Sequence, residues 1–302
     1  MLVVGALGTV GVFGSAPPTA RAQADDVELS RQAVDLETPR GLALGTGVRA
    51  TAGSTSSVAY NAAALPIASV YHLDALVGYA PSGHQLTFGG LVADSMTSTI
   101  NAGLAVRGFA APGQTGHSGW DGRLALALPL STDFAVGVTG RYLDVRQEGD
   151  SPRADVQAGD SLVRGFTMDA SARLSLGGDG ARFHLAALAE NLIDLGSDLA
   201  PRRVGGSGAL TLEQLTLGGD VLVDLTTRDE VSLLAGGGIE YLAGGQIPVR
   251  AGYRFDEARD QHAVTAGLGY LETSFGAELA LRQQVQGSRD TELFLTLRYF
   301  VN

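Results

Sequence analysis

From about Ser69 to Val301 the chain repeats one pattern: runs of roughly nine to twelve residues in which every second side chain is apolar and carries no charge. A period of two sends alternate side chains to opposite faces of a sheet. The last run shows it plainly, with Leu293, Leu295, Leu297, Tyr299 and Val301 on one face and Glu292, Phe294, Thr296, Arg298 and Phe300 on the other. Leu217, Gly219, Val221, Val223 and Leu225 alternate in the same way with Thr216, Gly218, Asp220, Leu222 and Asp224. One face suits hydrocarbon and the other suits water or buried polar partners, which is how a membrane-spanning barrel strand reads.

Fourteen such runs are readable, at about 69–80, 85–95, 98–110, 119–130, 133–146, 164–177, 181–192, 202–212, 215–226, 230–242, 246–256, 262–272, 274–284 and 291–301. The expected fold is therefore all-β, a transmembrane antiparallel β-barrel of fourteen strands, with twelve as the alternative and a short plug segment before the first strand. The apolar phase is expected to be free of Asp, Glu and Arg. The opposite phase holds ten arginines (Arg107, Arg123, Arg141, Arg173, Arg182, Arg203, Arg250, Arg254, Arg282 and Arg298) and eight acids (Asp74, Asp169, Glu190, Asp220, Asp224, Glu240, Glu278 and Glu292). An arginine facing lipid at mid-bilayer would cost about 2–4 kcal/mol, so this partition predicts which face turns inward.

Composition agrees with one large all-β unit: 302 residues, 45% hydrophobic, only 18% charged, with 42 glycines. All 21 basic residues are arginine; the simplest origin is a GC-rich genome, although guanidinium forks also suit charge ladders. The chain has no cysteine, so it has neither a disulfide framework nor a thiolate metal site. A net charge of −11 excludes the basic face that a nucleic-acid binder needs. With the inward set near balance, the excess acid is assigned to termini and loops, as at Asp25-Asp26, Glu148, Asp150, Asp229-Glu230 and Asp256-Glu257.

The segment Leu2 to Phe13 is apolar but too short to span a bilayer, and Ala20-Arg21-Ala22 offers small residues around a cleavage point. Residues 1–22 are expected to be a signal peptide, with a true start upstream of Met1 supplying the missing basic residue. Residues 23–67 are expected to form an extension and plug, and residues 68–302 the barrel. Within the extension, a short helix is expected near Leu29–Leu36, an extended or turning piece over Gly41–Ala50, and an Ala-rich helix over Ser54–Leu65 stopped by Pro66. Turn chemistry separates the runs, as at Gly177-Gly178-Asp179-Gly180 and Gly244-Gly245, and the longer connections fall near 147–163 and 193–201.

Three short pieces carry a resemblance. Gly238-Ile239-Glu240-Tyr241, Pro248-Val249-Arg250-Ala251-Gly252-Tyr253 and Gly267-Leu268-Gly269-Tyr270 resemble hairpins of the FadL-like outer-membrane superfamily, which includes long-chain fatty-acid transporters and PorV-type barrels of protein export. Ser57-Val58-Ala59-Tyr60-Asn61-Ala62-Ala63 resembles that group's plug segment, with Ala62 in place of its proline, and Ala189-Glu190-Asn191-Leu192 resembles a recurrent strand end. The resemblance implies a fourteen-stranded barrel in the bacterial outer membrane, plugged by a segment that includes Tyr60, Asn61, Ala62 and Ala63. The connections are too short for the large outer docking groove of fatty-acid transporters.

Catalytic and metal chemistry find no footing in the sequence. His72, His84, His117, His184 and His262 stand singly, no nucleophile elbow is present, and Gly236-Gly237-Gly238 completes no phosphate loop, so close strand packing accounts for it better. No enzyme activity and no cofactor are expected. The candidate site is a lumen-lining charge ladder of Arg107, Arg123, Arg141, Arg173, Asp220, Asp224, Glu240, Arg250, Arg254, Glu278, Arg282, Glu292 and Arg298, with Glu240–Arg250, Arg282–Glu292 and Glu278–Arg298 as cross-strand pairs. The leading functional expectation is passive transport of small hydrophobic compounds; the alternative is a non-transporting scaffold or shuttle for exported proteins. Outer-membrane lipid, and a small hydrophobic ligand or an exported protein, are the expected partners, and nucleic acid is not. The weak point of transport is a polar inner wall, relieved by Leu76, Leu91, Leu188, Leu222, Leu234 and Phe294.

Overall fold

The computed structural model describes residues 35–81, 84–110, 117–149, 156–178, 180–228, 230–286 and 290–301. The expected signal peptide, the polar stretch before residue 35, most of the expected helix near Leu29–Leu36, and Asp150 and Asp229 lie outside the described residues.

Alternation becomes a closed wall. The first seven strands are β1 (Tyr71–Ala80), β2 (Gln85–Asp94), β3 (Asn101–Ala110), β4 (His117–Pro129), β5 (Phe134–Gln147), β6 (Ser161–Gly177) and β7 (Arg182–Glu190). The remainder are β8 (Arg203–Leu212), β9 (Leu215–Asp224), β10 (Ser232–Ala243), β11 (Ile247–Asp256), β12 (Gln261–Leu271), β13 (Phe275–Gln286) and β14 (Thr291–Val301). These fourteen strands of the described residues pair antiparallel with their sequence neighbours, and β14 returns to β1 in the register Tyr71↔Val301 to Tyr79↔Leu293. Closure satisfies every ladder and leaves no sheet edge in contact with lipid.

The outward set is apolar across the middle of the wall: Val77, Phe88, Val106, Leu124, Leu185, Val221, Leu268, Leu279 and Leu297 are each close to half exposed. A soluble sheet would not present such a surface, whereas a bilayer covers it, so this is a membrane protein wall. No helix among the described residues is long and apolar enough to cross a membrane; the strands cross it.

The expectation of a charge-free outer phase is corrected, chiefly in one sector. Asp144 and Arg146 on β5 and Arg164 on β6 lie on the outward phase, with the arginines 54% and 62% exposed at the side chain. These strands run 14 and 17 residues, so they continue past the apolar band and the alternation no longer meets hydrocarbon. Asp94 and Glu272 also take the outer phase, at or just past the ends of β2 and β12.

Residues 35–65 lie inside the cylinder, where Leu42, Ala43, Val48, Ala63 and Leu65 are completely shielded. Thr38 caps a five-residue helix α1 (Pro39–Ala43) by accepting from the Gly41 amide at 3.3 Å, with Pro39 at the first helical position. Turns follow, then a 3-10 turn at Arg49–Thr51, helix α2 (Ser56–Tyr60) and a second 3-10 stretch at Ala62–Ile67 containing Pro66. The piece expected as extended or turning over Gly41–Ala50 is turning, between α1 and the 3-10 turn, and the expected helix divides at Asn61, whose extended backbone (φ −166°) breaks it.

Candidate functional site in the lumen

The wall makes room for this inner segment with glycines on the inward phase. A Cβ at Gly236 would lie 1.8 Å from the Gly45 carbonyl oxygen, one at Gly238 2.7 Å from Leu44 Cα, and one at Gly252 2.5 Å from the Leu44 carbonyl carbon. Gly218, Gly137 and Gly103 meet Gly47, Ala63 and Val58 in the same way. The Gly236-Gly237-Gly238 run therefore serves approach of the inner segment rather than strand packing alone.

Ion pairs then lock segment to wall in two tiers. Nearer the rim where β1 starts and β14 ends, Arg298 binds Asp74 at 2.7 Å and Glu278 at 3.5 Å, Arg250 binds Glu278 at 2.7 Å and Glu240 at 2.5 Å, and Arg40 of α1 joins Glu240 at 2.9 Å. Toward the opposite rim, Glu37 receives Arg254 at 3.1 Å and Arg282 at 3.0 Å, and Arg282 continues to Glu292 at 2.5 Å. Burial pushes the Glu37 carboxyl up, but Arg282 and Arg254, with the Tyr60 hydroxyl, overcome that and hold it below the ordinary carboxylate range. The Tyr60 hydroxyl donates to Glu37 at 2.6 Å and accepts from the Thr38 amide at 3.2 Å. Asn61 donates to the Arg49 carbonyl at 2.8 Å, Ala62 is buried, and the Ala63 amide donates to Ser171 at 3.2 Å.

On the other side of the lumen, Arg49 spans Asp220 at 2.9 Å and Glu190 at 3.0 Å, while Arg203 reaches Glu190, Asp224 and Asp35 at 3.5–3.7 Å. Arg173 donates to the Ala50 carbonyl at 3.0 Å and contacts His184 at 2.8 Å. Arg107, Arg123 and Arg141 converge on Asp121 at 3.4, 2.9 and 3.0 Å. Every member of the thirteen-residue ladder expected from sequence therefore faces the lumen, and each cross-strand pair named above is within 3.5 Å. Arg182 does not join them: its side chain is 46% exposed at a rim near Asp133. Alternation could have added Asp121 and Asp256, both inward and buried, but it could not add Asp35, Glu37, Arg40 and Arg49, which reach the wall from a segment with no strand register.

Buried apolar residues form four clusters among these ions, two of which flank the Asp121 layer. One lies along β1–β4 and β13–β14, where Leu76, Leu91, Ala105, Ala125 and Phe294 pack on Leu42, Val58 and Leu65. The other lies at the rim opposite the start of β1: Phe109, Leu143, Val145 and Val163 point inward and are covered by Leu199 and Ala200 of the 191–202 connection. Between them on β3 stands Arg107 with the Asp121 cluster. A polar cavity of about 50 Å³, bordered by Glu37, Arg49, Asn61, Arg141 and Glu190, has room for a few waters and none for an aromatic ring. Among the described residues no group of His, Cys, Asp or Glu side chains converges as metal ligands would.

A closed fourteen-stranded barrel with this lumen defines a class, and the comparisons with solved structures agree on it. No family model and no curated protein matches the chain. The toluene transporter TbuX of Ralstonia pickettii superposes with a TM-score of 0.57 at 10% identity, over 89% of this chain and 99% of that one. The CymD monoaromatic hydrocarbon channel gives 0.56 at 9% identity, over 82% and 92%. A FadL homologue of Pseudomonas aeruginosa gives 0.53 at 11% identity, over 86% and 97%. The fold is the FadL-like barrel fold, as the hairpin resemblance implied.

Proposed function

We propose that this barrel resides in a bacterial outer membrane and passes small hydrophobic compounds across it without energy input. The single observation that carries the reading is the apolar mouth, closed in this structure: Phe109, Leu143, Val145 and Val163 line the inside of one rim and are roofed by Leu199, above the ion cluster on Asp121. Once Leu199 lifts, an apolar molecule leaving water gains about 25 cal/mol for each Å² that it buries against these side chains. The longer connections, from β5 to β6 and from β7 to β8, leave and rejoin the wall at this same rim, as expected for the cell-exterior side of such barrels. The fold likeness to a toluene transporter and a hydrocarbon channel supports the reading, and the scaffold alternative draws no support from those likenesses. Onward passage requires the Asp121 layer or the inner segment to shift, because the cavity beyond the mouth, about 50 Å³, is too small for an aromatic ring.

Residues Tyr60, Asn61, Ala62 and Ala63 act in this proposal as the buried foot of the plug, and the charge ladder as its anchor. The test is uptake of toluene and of a dye-labelled fatty acid into liposomes carrying the purified barrel. Flux above empty vesicles, reduced at least tenfold by Leu199→Asp, is the expected outcome; flux equal to empty vesicles removes transport.

A further inference from the structure

The rows of side chains on the outer face of β4, β5 and β6 are fixed by their pairing. Leu126, Val138 and Ala170 share one row, and Leu124, Gly140 and Met168 the next. Toward the mouth follow Gly122, Tyr142 and Phe166, and then Trp120, Asp144 and Arg164. Going outward, the wall thus passes from aliphatic to aromatic to charged within about 14 Å, since two residues of an antiparallel strand advance about 6.8 Å. Trp120 stacks on Tyr142 with ring centroids 5.0 Å apart, as an interfacial girdle would. The charged row therefore stands at headgroup height.

Its charge is arranged for an anion. Arg146 and Arg164 share the single Asp144 carboxylate, at 3.2 and 3.5 Å, and Arg164 also donates to the Tyr142 hydroxyl at 3.3 Å. The Asp144 side chain is almost covered, whereas both arginine side chains are more than half exposed. Glu148 accepts from the Ser118 hydroxyl and also acts on the charge of Arg146, so Arg164 is the less compensated cation of the row. Among the described strands, these two are the only arginines on the outward phase, and a lone hydrated surface would not need them beside an aromatic row. The mouth rim, with its long connections, is the exterior side in the reading above, so this inference rests on that orientation.

We propose that this patch binds the phosphorylated headgroup of an outer-leaflet glycolipid: Arg146 and Arg164 engage a phosphate, and Trp120, Tyr142 and Phe166 seat the boundary between sugar and acyl chains. Guanidinium groups recognise phosphate by paired N–H donors, and the aromatic row supplies contact at the level where chains begin.

Trp120 is the chain's one tryptophan, so its fluorescence reports on the patch directly. The full chain in uncharged detergent is titrated with bis-phosphorylated lipid A, with dephosphorylated lipid A and with inorganic phosphate alone, and stoichiometry is read by native mass spectrometry. A saturable Trp120 response to the phosphorylated lipid is expected. The double variant Arg146→Gln/Arg164→Gln should weaken it about thirtyfold, given roughly fivefold for each basic residue near an anionic lipid surface. Arg146→Lys/Arg164→Lys should retain most of the binding, and inorganic phosphate should give no response. Equal binding of phosphorylated and dephosphorylated lipid by the unaltered chain, or a full response to inorganic phosphate, overturns the proposal; the first of these needs no variant to fold. Heat-modifiable gel mobility verifies the barrel in each variant. The assay does not involve flux, so failure of transport and failure of headgroup binding are separately visible.

Discussion

Three guanidinium groups share the Asp121 carboxylate, and that one acid separates the apolar mouth from the lumen's interior. Removing one partner from a buried ionic cluster leaves uncompensated charge and costs about 3–5 kcal/mol. Asp121→Ala should therefore lower the urea midpoint of barrel unfolding by that equivalent, whereas an unchanged midpoint would mean that water already screens the arginines. Residue pairs such as Glu240–Arg250 were legible because they oppose one another on adjacent strands of a tight hairpin. The Asp121 cluster was not, although Arg107 is its register partner, because alternation gives a residue's face and says nothing of its height on the next strand. Glu37 and Arg49 were hidden more deeply, since a segment without strand period has no register with the wall at all.

At the scale of elements, the inner segment is fitted to its groove by absent side chains. Gly236 and Gly238 on β10, Gly252 on β11 and Gly218 on β9 place four missing Cβ atoms against the backbone of residues 44–47. A larger residue there must displace backbone, and overpacking of that kind costs about 1–3 kcal/mol. Gly236→Val should leave the barrel heat-modifiable on a gel but expose residues 35–65 to limited proteolysis; equal protection in variant and parent would refute the fit. The signal was present in the sequence as glycines aligned on the inward phase of neighbouring strands, and it was legible only once those strands were paired. The fourteen strands themselves were readable to within a few residues. The outward Asp144, Arg146 and Arg164 were misassigned because a strand's period persists beyond the lipid that gives one phase its apolar character.

The molecule as a whole is a hydrocarbon-facing cylinder with an ionic interior, the reverse of a soluble domain. That inversion predicts the position dependence of a single charge: Leu126→Arg, in the middle of the outer wall, should cost about 2–4 kcal/mol in folding from urea into bilayers, and far less in the charged row near Arg164. Equal costs at the two heights would deny the membrane position assigned to the wall. The closing seam lies between β1 and β14, so Thr291–Val301 supplies the partner that β1 and β13 both lack until it is in place. A barrel without this strand has two unpaired margins and a gap through which its ionic contents meet lipid. Sealing therefore waits on this one eleven-residue strand, and until it pairs on both sides the two margins stay open to any other strand edge.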